Sequence, residues 1–183
     1  MIATCKKGIA KLKKDNTPLD LYLWLIKNQK SEIYPFVFKH FFVLNRMSSI
    51  KQKGIDELIL KKSKVSSFAD LLMHIDNEKY QFSFASKILH MQNPELPIYD
   101  SHIADIIGWN FQNKKSKLKH CNTRKEKISE LNKLWEEFQK TWTEFTKKDY
   151  SHCCELFNKA LPKYKNISRT KKLDFVMWAS KKN

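Results

Sequence analysis

Two neighbouring stretches put an amine, four hydroxyls and a carboxylate close together in the chain. They are Ser83-Phe84-Ala85-Ser86-Lys87-Ile88-Leu89-His90 and Leu96-Pro97-Ile98-Tyr99-Asp100-Ser101-His102-Ile103. The first reads as an amphipathic helix, and the second as a proline-bounded connection ending in an acid at the mouth of another helix. A helix N-terminus carries unpaired N–H groups and a positive partial charge, so an acid there is held ionised and aimed outward. Asp100 could therefore stabilise a cation that develops during bond cleavage, or it could be a plain cap that stabilises the helix by ~1 kcal/mol. Lys87 lies one turn beyond Ser83 on the same helix face. It could serve as an amine nucleophile if burial or neighbouring cations lowered its pKa; solvated phosphate contact is its simpler role.

The elements that must position these groups are helices. Only three glycines and five prolines are present, too few for a fold of many tight β-turns. Thr17-Pro18-Leu19-Asp20 reads as a helix start, with a capping threonine and proline at the first helical position. Leu21 to Ile26 is apolar nearly all round and should lie deep. Further helices are expected over Glu32–Arg46, Ile55–Lys62 and Ser66–Ile75, the last capped by Ser66 or Ser67. From Ile128, the residues Leu131, Trp135, Phe138, Trp142 and Phe145 recur at spacings of three and four. This stripe is a packed core seam in preference to a partner surface. Ser151–Ala160 makes another helix, and Ser168 caps a last one with Leu173, Val176 and Met177 at core spacing. The expectation is an all-α, compact single-domain bundle of about eight or nine helices over 1–183, with 1–16 a candidate flexible basic segment.

Composition narrows the partners. The chain has 35 basic and 19 acidic residues, a formal charge of +16. Lysine dominates, since only Arg46, Arg124 and Arg169 are arginine. The excess of bases over acids predicts a footprint for a polyanion, most often nucleic acid. Residues 113–127 hold seven lysines or arginines and one acid, and read as an exposed loop leading into a helix. Cys5, Cys121, Cys153 and Cys154 form neither a disulfide framework nor a metal spacing, and His120-Cys121 with His152-Cys153-Cys154 matches no common ligand pattern. Reduced thiols, a cytoplasmic setting and no metal or cofactor are expected. No apolar run approaches a membrane span, and no signal peptide is legible. A monomer is assumed.

The helix, the turn and Pro97-Ile98-Tyr99-Asp100-Ser101-His102-Ile103 resemble the catalytic segment of the helix-hairpin-helix DNA glycosylases. In that family an aspartate follows a proline and two apolar residues and opens a helix. Ser83 to Leu89 falls where the family's second hairpin helix runs, and the closing Asp174-Phe175-Val176-Met177-Trp178 is similar to the last helix of the 8-oxoguanine branch. The likeness implies that Asp100 is the catalytic carboxylate in hydrolysis of an N-glycosidic bond, through an oxocarbenium-like state. Ser83 falls where bifunctional members carry the nucleophilic lysine. The resemblance therefore implies base release without strand cleavage, with Ser83 and Lys87 both candidate catalytic residues. Two departures stand out. The hairpin stretch Asp76-Asn77-Glu78-Lys79-Tyr80-Gln81 has no glycine, and the connection from Ala85 to Asp100 is about two residues short, which leaves the register of Ser83 and Lys87 open.

The resemblance further implies that Tyr99 and Trp109 line a pocket for an extruded base and that His102 contacts a phosphate. Lys79, Lys114, Lys115, Lys117 and Lys119 would grip duplex DNA in place of the glycine hairpin. The alternative is a non-catalytic basic helical module that binds nucleic acid or a protein.

Overall fold

The structure is a computed structural model, and it describes residues 2–42, 67–75, 82–147 and 150–181. Among these residues there is no strand, so the expected all-α architecture holds. The helices are α1 (Ile2–Lys14), α2 (Thr17–Lys27), α3 (Tyr34–Phe41), α4 (Phe68–Ile75), α5 (Phe82–Gln92), α6 (Ser101–Ile106), α7 (Phe111–Lys114), α8 (Arg124–Lys147), α9 (Tyr150–Ala160) and α10 (Arg169–Ala179). Short 3-10 turns span Lys115–His120 and Pro162–Tyr164. The helix expected over Ile55–Lys62 and the contact expected at Lys79 lie outside the described residues.

The last helix is the centre of the molecule. In α10 every residue from Thr170 to Met177 is buried, Lys171, Lys172 and Asp174 included. Its start is fixed by Ser168, whose Oγ accepts from the Lys171 N–H at 3.1 Å, the cap that the sequence indicated. Helices α1, α6 and α9 pack around it. The closest approach is at Gly8 of α1, where an added Cβ would collide with the Val176 carbonyl. Only glycine permits that contact. Where a flexible basic segment was a candidate, residues 2–14 form α1, with Cys5, Ile9 and Leu12 buried against the core.

Other expectations shift locally. Thr17 is the first residue of α2 instead of its cap, and Asn16 occupies the cap position without a side-chain bond. Asp15 takes over that role, its Oδ1 accepting from the Thr17 N–H at 3.0 Å. Ser67 caps α4 by accepting from the Asp70 N–H and donating to its carboxylate. The aromatic stripe is a core seam: Ile128, Leu131, Leu134, Trp135, Phe138 and Trp142 are all buried along α8. The basic run 113–127 is wound into α7, a 3-10 turn and the start of α8, so it is not an irregular loop. Gly108, at φ 76°, ends α6 in the left-handed region that glycine tolerates.

Candidate functional site: a cavity holding two lysines and two aspartates

The connection between α5 and α6 is short, and it is tied down along its length. Ser168 Oγ donates to the Pro94 carbonyl at 2.7 Å and Thr170 Oγ1 to the Glu95 carbonyl at 3.1 Å. His90 Nδ1 meets the Leu96 carbonyl at 2.7 Å, while its Nε2 meets the Tyr22 hydroxyl at 3.0 Å. Burial pushes the His90 imidazole down to about 3, so the neutral ring donates from Nδ1 and accepts the tyrosine proton at Nε2. At the far end, Ser83 Oγ donates to the Tyr99 carbonyl at 3.1 Å, and the Tyr99 N–H donates to Ser86 Oγ at 3.0 Å. Both backbone groups of the residue before Asp100 are thereby pinned to α5. Ser83 is a positioning residue here, because its hydroxyl is spent on that carbonyl.

Asp100 follows as the N-cap of α6, in an extended backbone conformation. Its Oδ1 accepts from the His102 N–H at 2.9 Å and from the Ile103 N–H at 3.4 Å. Oδ2 has no hydrogen-bond or ion-pair partner among the described residues. The carboxylate is half-buried and lines a cavity of about 480 Å³. That volume falls in the range of roughly 300–1,000 Å³ that ligand sites occupy.

Lys87, Lys171 and Asp174 line the same cavity. Lys87 is half-buried. Its Nζ donates to the Phe42 carbonyl at 3.4 Å and stands 5.7 Å from the Phe42 ring centroid. No carboxylate pairs with it among the described residues. Burial lowers its pKa first, and the Lys171 charge lowers it further, against the opposing pull of Asp100 and Asp174. Lys171 and Asp174 form a buried ion pair one turn apart on α10. The Lys171 ammonium also lies 4.4 Å from the Phe175 ring and 5.2 Å from that of Tyr22. Burial raises the Asp174 carboxyl, and Lys171 holds it back. The cavity thus offers one carboxylate oxygen without a partner, one depressed amine and, behind them, a fixed donor–acceptor pair. Phe42, Phe175 and Trp178 supply apolar wall.

The remaining candidates lie elsewhere. Tyr99 and Trp109 pack into an aromatic cluster with Phe82, Phe111 and Phe138 instead of lining the cavity. Trp109 is 2% exposed, so it cannot present a face to an incoming base. His102 is half-buried with its Nε2 unpartnered among the described residues, and it too is absent from the cavity wall. Lys114 is committed to an ion pair with Glu137 and lies 5.9 Å over Trp109. Lys115 begins the 3-10 turn, and Lys117 and Lys119 are exposed on it. Cys5 and Cys153, distant in sequence, are both buried in the core. No group of three His, Cys, Asp or Glu side chains that could hold a metal is found among the described residues, and none of their helices is long and apolar enough to cross a membrane.

Sequence reasoning passed over Lys171 and Asp174 as site residues. A lysine and an aspartate three apart on a helix, the aspartate set among Leu173, Phe175, Val176 and Met177, was the available signal, because charges buried on such a face must be paired. Set against known protein families, curated proteins and solved structures, the chain shows no match.

Proposed function

We propose that the protein cleaves the N-glycosidic bond of a damaged or modified base extruded from DNA, with Asp100 as the catalytic carboxylate and Lys87 as the attacking amine. The observation that carries this reading is the convergence of Asp100 and Lys87 on one nucleotide-sized cavity, neither of them in an ion pair with another side chain among the described residues. A plain cap or a solvated lysine needs no such cavity. The sequence resemblance supplies the reaction class, and the +16 charge supplies attraction to a polyanion.

In this mechanism the unprotonated Lys87 nitrogen attacks C1′ of the sugar, and the base departs with the bonding pair. One proton lost from the amine goes to the departing base. The nitrogen lone pair then expels O4′, which takes a proton from water, leaving an iminium between Lys87 and C1′. The unengaged Asp100 oxygen stabilises the positive charge that builds on C1′ and O4′. The Lys171–Asp174 pair, engaged with itself, stands behind Lys87 and Asp100 in the cavity wall, and Phe42 and Phe175 line the same cavity. Lys87, one turn from Ser83, thus takes the nucleophile's part; water then hydrolyses the iminium, freeing the Lys87 amine and the C1′ aldehyde, so that the base is released without strand cleavage, as the resemblance implies.

Borohydride reduction tests the assignment of Lys87. Oligonucleotides carrying a panel of damaged bases are incubated with the protein and borohydride, then resolved under denaturing conditions. A covalent adduct with the wild-type protein that is lost in Lys87→Met supports the amine mechanism. Base release that persists in Lys87→Met without an adduct assigns the attack to water and leaves Asp100 alone as catalyst. Binding with no base release from any substrate would favour the non-catalytic module.

A further inference from the structure

A second cavity adjoins the first. It measures about 640 Å³ and shares Asp15, Pro18 and Trp178 with the cavity that holds Asp100. Its other walls carry Lys11 and Lys14, from the last turn of α1, and Lys181, just beyond α10. Three cations therefore face a single carboxylate. That carboxylate, Asp15, is lowered by its bonds to Thr17 and fixed at the start of α2.

Trp178 is 47% exposed, although most of α10 is buried. Its indole forms part of both cavity walls. The wall itself is firm. Gly8 sets α1 directly on the α10 backbone, and Lys11 Nζ donates to the Lys181 carbonyl at 2.8 Å, joining the two helix ends. A half-exposed indole that shares its cavity wall with three lysines suits one kind of occupant. Nucleic-acid bases stack on aromatic faces whatever their identity, and phosphates pair with lysine. An acidic peptide would satisfy the lysines but leave the indole bare.

We propose that this second cavity seats the nucleotide next to the one held at Asp100 on the same strand, its base on Trp178 and its phosphate among Lys14, Lys181 and Lys11. The proposal rests on the glycosidase reading for the occupant of the first cavity. Two adjoining seats mean that the protein engages at least two consecutive unpaired nucleotides. A nucleotide whose neighbour stays stacked in a duplex would use only half of the surface.

The test uses the full chain carrying Asp100→Asn, so that bound strands are not processed, and single-stranded oligonucleotides with one central tetrahydrofuran abasic analogue. Fluorescence anisotropy then compares this protein with versions that add Trp178→Ala, Trp178→Phe, or Lys14→Gln with Lys181→Gln. Trp178→Ala should weaken binding about tenfold or more, the usual contribution of one stacked base, and Trp178→Phe should restore most of it. Removing the two lysines should flatten the plot of log affinity against log salt by roughly 0.7 for each phosphate no longer neutralised. Thermal melting of each variant separates weakened binding from a damaged fold, and the phenylalanine rescue carries the test should alanine destabilise α10. Affinity within twofold for Trp178→Ala, with an unchanged salt slope in the lysine variant, overturns the seat. Base release by the wild-type chain is measured in parallel. Its absence would sink the glycosidase reading while the binding changes could stand, and its presence with indifferent binding would sink the seat alone.

Discussion

Asp174→Asn should destabilise the protein by about 3 kcal/mol, for a reason that can be followed atom by atom. Lys171 and Asp174 are 3% and 5% exposed, so water cannot replace either partner. Removing one member of a buried ion pair typically costs 3–5 kcal/mol, because the other charge is left uncompensated. Here the low end applies. The Lys171 ammonium keeps its contacts with the rings of Phe175, Tyr22, Phe41 and Phe42, at 4.4 to 5.7 Å, and desolvated cation–π contacts retain part of the lost stabilisation. The reverse change, Lys171→Met, leaves a carboxyl that burial already raises and that can neutralise itself by taking up a proton. Its cost should therefore shrink as pH falls towards 5, which the asparagine variant cannot imitate. Replacing both, Lys171→Met with Asp174→Leu, should return stability to within about 1 kcal/mol of the wild type, since hydrophobic replacement of a buried pair is often neutral. Urea unfolding followed by circular dichroism gives all four corners of the cycle. If Asp174→Asn costs less than about 1 kcal/mol, or if the two single changes simply add, the pair is not the isolated buried charge couple described here.

Three other outcomes follow from the same packing. The His90 imidazole, at about 3 when folded and 6.5 when exposed, binds fewer protons folded than unfolded, so its contribution is intact above pH 6.5. It is lost progressively as pH falls towards 3, at most about 5 kcal/mol from 1.36 kcal/mol for each unit of pKa; His90→Gln should flatten that part of the acid stability profile, and an unchanged slope would contradict the neutral buried ring. Gly8→Ala should lower the melting temperature by an amount corresponding to about 2 kcal/mol, overpacking against the Val176 backbone outweighing the gain of about 1 kcal/mol in helix propensity; a rise in melting temperature would mean that α1 does not lie on α10. Lys171→Met should also move borohydride trapping to higher pH, because it removes a charge that lowers the Lys87 pKa; a shift to lower pH would remove Lys171 from the environment of that amine.

The local order was legible wherever one residue type does one local job. Ser168 as a cap, the apolar seam of α8 and the acid at the mouth of α6 all depend on neighbours within a turn or two. The cap of α2 was misplaced by one residue because Asp15, two residues upstream, accepts from the Thr17 N–H, so that Thr17 begins the helix instead of capping it. The interior of the site was not legible, since it depends on contacts across the chain. Nothing near Lys87 in sequence shows that Phe42 and Lys171 face it, and a chain with 35 basic residues disguises the few lysines, Lys87, Lys171 and Lys172, that turn inward. Trp109 and Tyr99 misled for the converse reason. Their closeness to Asp100 in sequence suggested a pocket wall, whereas Tyr99, before α6, and Trp109, after it, both pack into the aromatic cluster with Phe82, Phe111 and Phe138.

The unengaged oxygen of Asp100 is the atom on which the proposed chemistry turns, and Asp100→Asn tests it without disturbing α6, because asparagine caps a helix as well as aspartate does. The measurement is single-turnover release of a damaged base from an oligonucleotide at saturating protein, with DNA affinity recorded alongside. The account predicts a fall of about 10²–10³-fold in the rate of release, with affinity unchanged. Release by the asparagine protein at the wild-type rate would contradict it.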